Sequence, residues 1–251
     1  MTTPRVAQAG RDGAVTIACI DKTKHSSLGI PLDELTAALQ KCYDQFFLPV
    51  WGYPVKLYTA KRPRPSDWRL IYFDDAAQAG LLGYHDLTDE GQPISKVFVR
   101  SALNAGEHVS VTASHELFEM AIDPIANLWA EGPDGVEFAY EMSDPVEEDT
   151  FMVDGLPMSN FVHPAWFEPI KHPRGTKFDY LGRLSAPFTM SEGGYVIVKQ
   201  NGQVCEKHCS DEKAARFRAE DRYGHRAEFR KPGGLKVHPA ALKSGAQIAA
   251  E

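Results

Sequence analysis

Short apolar blocks separated by turn residues dominate the first hundred positions, and they predict strands. Residues 14–20 (AVTIACI), 55–60 (VKLYTA), 68–73 (WRLIYF), 80–85 (GLLGYH) and 96–100 (KVFVR) are such blocks. Between the first two, Leu32, Leu35, Leu39, Cys42 and Phe46 recur at three- and four-residue intervals, so residues 31–47 are expected to be a helix. Pro31 suits the first turn, Asp33 and Glu34 favour a helix N-terminus, and Pro49, Gly52 and Pro54 end the pattern. After position 124 turn residues multiply. Residues 138–142, 151–153 and 195–199 look extended, Asp154-Gly155 and Asn201-Gly202 read as tight turns, and a charged helix is expected from Asp211.

The most informative stretch is Ser110 to Pro124, SVTASHELFEMAIDP. Ser110 or Thr112 can cap a helix there, and Asp123-Pro124 can stop it. Ala113, Leu117, Phe118, Met120, Ala121 and Ile122 cover most sides of that helix, which predicts burial. Yet it also carries His115, Glu116, Glu119 and Asp123. Burying an ionised carboxylate without compensation costs several kcal/mol. Spacing by four places His115, Glu119 and Asp123 on one face with Glu116 beside them, and a divalent metal ion would offset the charge.

Composition narrows the alternatives. Of 251 residues, 43% are hydrophobic and 24% charged, as in ordinary globular proteins. A net charge of −7 disfavours a nucleic-acid surface, and the basic stretch KRPRPSDWR is read as solvated. No apolar run approaches the roughly 20 residues that span a bilayer, and the polar N-terminus lacks a secretory core, so a cytoplasmic protein with no membrane partner is expected. Cys19, Cys42, Cys205 and Cys209 are too scattered for a disulfide framework.

His115-Glu116-Leu117-Phe118-Glu119 and the element order around it resemble the zincin metallopeptidases, with glutamate at the position of the second histidine. The resemblance implies an α+β fold: a twisted mixed sheet packed on an active-site helix within residues 1–170, followed by a β-rich extension over 171–251. It implies Zn²⁺, or another divalent cation, held by His115 and Glu119, with Glu116 as general base. By analogy with the gluzincin branch, Glu141 would be the third ligand and Asp144 would steady a histidine, or the reverse; Asp123 and His163 are the other candidates. The strand near 80–85 would form the sheet edge along which an extended peptide or protein substrate lies. Tyr140 or Tyr195 would stabilise the oxyanion.

The segments EMSDPVE, SNFVHPAWF and YLGRLSAPF are also similar to phage and prophage proteins without an assigned role. That likeness supplies a second expectation: a non-catalytic phage structural or assembly protein, virion-associated, that retains the fold and uses its aromatic segment as an interface with other phage proteins.

Overall fold

A computed structural model describes residues 13–76, 81–219, 230 and 234–239. Its first sheet contains β1 (Val15–Asp21), β2 (Val55–Thr59), β3 (Trp68–Phe73), β4 (Gly83–Leu87) and β5 (Pro93–Phe98), in the order β2-β1-β3-β5-β4. All neighbours are parallel except β4, which runs antiparallel to β5 at the edge. The fold is thus α+β with a mixed sheet. β1, β3 and β5 are almost continuously buried, as expected of strands covered on both faces. The predicted edge strand is shifted: position 80 lies outside the described residues, and the pairing begins at Gly83. The fifth strand begins earlier than predicted, at Pro93, and ends at Phe98, because Val99 and Arg100 enter a short helix, α2 (Val99–Asn104).

The predicted 31–47 helix is α1 (Leu32–Cys42), followed by a π turn over Tyr43–Phe47 and one further helical turn at Leu48–Trp51. The change of register falls just before Pro49, whose ring cannot be accommodated in an unbroken α-ladder. Gly52, at φ 80°, then terminates the segment in the left-handed region.

The central element is α3 (Val109–Ile122), all 14 residues of which are buried. Sequence reasoning put the cap at Ser110 or Thr112, but His108 holds that position and its Nδ1 accepts from Ser110 N at 3.2 Å. The Thr112 hydroxyl donates to Glu107 Oε1 at 2.6 Å instead. On one side Ser95 Oγ, from β5, donates to the Glu116 carbonyl at 3.0 Å and fixes the helix on the sheet. On the other, Ser114 Oγ accepts from Ser159 N at 2.9 Å, in the hairpin of β8 (Thr150–Val153) and β9 (Leu156–Ser159). Phe118 stacks on Phe47 with ring centroids 4.4 Å apart and meets Phe161 edge-on at 5.2 Å, joining α3 to α1's continuation and to the aromatic segment.

A second sheet has the order β11-β10-β7-β6-β12, from β6 (Leu128–Glu131), β7 (Glu137–Ala139), β10 (Tyr195–Gln200), β11 (Gln203–His208) and β12 (Leu235–Lys236). It combines strands from before and after position 170, so the boundary drawn there runs through a shared sheet. The expected tight turns are present: Asp154-Gly155 (φ 50° and 82°) and Asn201-Gly202 (φ 53° and 78°) close their hairpins. The charged helix is α4 (Asp211–Ala219); the rest of its predicted extent lies outside the described residues. Among the described residues no helix is long and apolar enough to cross a membrane.

Candidate metal centre

α3 delivers three of the predicted side chains to one place because residues 115, 116 and 119 share adjacent faces of a helix that cannot move. His115 Nε2 lies 3.0 Å from Glu119 Oε1 and 3.1 Å from Asp144 Oδ1. Asp144 opens a single 3₁₀ turn, Asp144–Val146. That turn is pinned from behind: Ser191 N donates to the Pro145 carbonyl at 2.9 Å, and a Cβ on Gly194 would lie only 2.2 Å from the same oxygen. Gly194 is therefore needed for close approach, and the position of Asp144 depends on it.

The second contribution comes from β4. Strand alternation turns Gly83 and His85 inward, over α3. His85 Nδ1 faces three carboxylates: Glu119 Oε2 at 3.6 Å, Glu116 Oε2 at 3.8 Å and Glu141 Oε2 at 3.8 Å. Its side chain is 2% exposed, and neither ring nitrogen makes a hydrogen bond among the described residues. Gly83 allows this packing, since a Cβ there would stand 2.8 Å from Glu116 Cγ and Oε1 and 2.9 Å from the Lys96 carbonyl.

Among the described residues, two sets of side chains could each surround an ion: His115, Glu116 and Glu119, and His85, Glu119 and Glu141. Glu119 belongs to both. Glu141, expected beside His115, is thus grouped with His85 instead. Asp144 Oδ1 stands at the same His115 nitrogen as Glu119 Oε1, whereas a residue that only steadied a ligating ring would face the other nitrogen. Asp144, like Asp123 and His163, belongs to neither set, and its contact with His115 is a 3.1 Å hydrogen bond.

Electrostatics follow from this crowding. Burial pulls the His115 pKa down, but Glu119 and Asp144 reverse that and hold it well above its ordinary value. For His85, burial again opposes the charged form, and Glu141, Glu116 and Glu119 together push its pKa up to about 10. Arg230 supplies a permanent cation. Its guanidinium bonds Asp123 Oδ2 at 2.8 Å, Glu141 Oε1 at 2.7 and 3.0 Å and the Leu128 carbonyl at 3.0 Å, and it lies over the Trp129 ring.

The remaining candidates do other work. Asp123 accepts from Asn127 N and Leu128 N at 3.0 and 2.9 Å, tying down the turn after α3, and belongs to neither set. His163 stacks on Phe161 and is likewise in neither. The Tyr140 hydroxyl donates to the Val237 carbonyl at 2.8 Å, whereas Tyr195 lines the cleft beside the site. That cleft is bounded by Leu82, Gly83, Thr112, His115, Glu116 and Tyr195, and all five of His85, His115, Glu116, Glu119 and Glu141 are buried.

No protein-family model, curated protein or solved structure matches this chain.

Proposed function

We propose that the protein is a divalent-metal-dependent hydrolase of peptides or related amides, its ion held by His115 Nε2 and Glu119 Oε1 with Asp144 Oδ1 beside them. The observation that carries this reading is the convergence of those donors, 3.0 and 3.1 Å apart, next to a cleft that His115 and Glu116 line. The donor set suits the group: an imidazole with carboxylates accepts Zn²⁺, and its oxygen content also admits Mn²⁺. An ion bound there supplies Lewis acidity and a water of lowered pKa.

The chain's own residues do the rest. Glu116, on the cleft side of the set, takes the proton of the attacking water and returns it to the leaving amine. Tyr195 faces the same cleft and is the better placed of the two tyrosines to bond a developing oxyanion. The edge position of β4 gives an extended substrate a direction in which to lie.

One observation favours a second reading. The Arg230–Asp123–Glu141 and His115–Asp144 contacts form a buried ion-pair network, which a non-catalytic phage assembly protein could keep for structure alone. Metal content by mass spectrometry, with His115→Ala and Glu116→Gln variants, separates the two. Hydrolysis predicts near-stoichiometric metal that is lost in His115→Ala. In Glu116→Gln it predicts retained metal and turnover of a peptide library reduced roughly 10²–10⁴-fold. A folded protein that takes up no metal refutes the hydrolase reading.

A further inference from the structure

We infer that the centre holds two cations, the second one enclosed by His85 Nδ1, Glu119 Oε2 and Glu141 Oε2, with Glu119 bridging the pair. This extends the proposed function, on which it rests only for the ion at His115.

A buried imidazole ordinarily satisfies at least one nitrogen with a hydrogen bond. His85 is nine-tenths buried or more, satisfies neither, and directs Nδ1 at carboxylates on three different side chains. If it were simply an imidazolium in an ion pair, one carboxylate would close to about 2.7–2.9 Å. Instead all three stand off at 3.6–3.8 Å. Ligand atoms around one cation are separated by about 3.0–3.6 Å, given bond lengths of roughly 2.0–2.5 Å. The His85 spacings exceed that range by no more than a few tenths of an ångström, which side-chain rotation can absorb. The distances describe donors arranged around a point, not a donor joined to an acceptor.

Glu119 supplies the link. Its Oε1 is committed to the His115 side and its Oε2 to the His85 side. A carboxylate that presents one oxygen to each of two imidazoles can serve both ions at once. The Arg230 fork occupies Glu141 Oε1 and so leaves Oε2 oriented towards His85. His115 and Glu116 line the cleft, and His85, Glu119 and Glu141 are not among its lining residues.

The test loads chelator-treated full-length protein with Mn²⁺, counts bound metal by mass spectrometry and records the electron paramagnetic resonance spectrum. Two ions per chain with an exchange-coupled spectrum are expected in the parent. His85→Ala should retain one ion and lose the coupling, His115→Ala should retain the other, and Glu119→Gln should weaken both. One ion per chain, or two in His85→Ala, overturns the inference. If His85→Ala fails to fold, the parent decides: two coupled ions support the bridge, and two independent ions overturn it. A single ion lost in His115→Ala overturns the second site while leaving the proposed function intact. Two coupled ions without peptide hydrolysis would do the reverse.

Discussion

Replacing Arg230 with methionine tests whether the buried network is built as described. Methionine preserves much of the length and apolar stem but removes the guanidinium. Asp123 and Glu141 then lose their shared counter-ion, and the Leu128 carbonyl loses a donor. Asp123 keeps its two backbone donors, so the larger share of the penalty falls on Glu141. Breaking a buried ion pair by removing one partner costs roughly 3–5 kcal/mol. For a chain of 251 residues each kcal/mol shifts the thermal midpoint by about 2 °C, so a fall of roughly 6–10 °C is expected by calorimetry. Arg230→Lys should fall in between, because an ammonium keeps the charge without the fork that spans both carboxylates. Adding Glu141→Gln to Arg230→Met should recover at least about 1 kcal/mol relative to additivity, since the two groups are in direct contact. A loss below about 1 kcal/mol in the single variant, or strict additivity in the double, refutes the network.

Two further outcomes follow from the same geometry. Gly83→Ala forces a methyl against the Glu116 side chain and the Lys96 carbonyl, so it should destabilise by about 1–3 kcal/mol in chemical denaturation and displace the proposed base; an unchanged denaturation midpoint would count against the packing of β4 on α3. In metal-free protein His85 titrates near 10 rather than at its ordinary 6.5, because the surrounding carboxylates outweigh burial. A raised histidine pKa stabilises the fold fully below the unfolded value and ceases to do so as pH climbs through the folded one. The thermal midpoint of chelated protein should therefore fall between about pH 7 and 10, and His85→Ala should flatten that slope; an identical slope in the variant would place the titration elsewhere.

Much of the fold was legible because its signals are local. The apolar blocks of β1, β3 and β10 needed no tertiary information, and neither did the Asp154-Gly155 and Asn201-Gly202 turns. The α3 segment declared its burial through apolar residues on every side. The site was legible only as far as one helix carries it: spacing by four joins His115 to Glu119. His85 was read as part of a strand and not as a donor, although the alternation Leu81, Gly83, His85 marks one inward face with space made by a glycine. Its contact with Glu119 exists only once β4 folds antiparallel onto β5 above the helix. Arg230 is harder still, since it reaches Glu141 from 89 residues away and no periodicity announces it. Two-stranded contributions such as β6 and β12 were missed because four and two residues are too few for a pattern.

The glutamate at position 119 changes meaning once β4 is in view. From sequence it is a histidine's replacement that adds negative charge to a single ion and weakens its acidity. In the structure it sits between two imidazoles, with a different oxygen turned to each. A neutral imidazole at that position has one lone pair to offer, so it could serve the His115 side or the His85 side but not both. Glu119→His, which restores the spacing of two histidines four apart, should therefore reduce metal content to one ion per chain while leaving that ion less surrounded by carboxylate charge. Its bound water should then ionise at lower pH, shifting any pH–rate profile for hydrolysis towards acid. Two ions bound to Glu119→His would show that residue 119 is not the bridge.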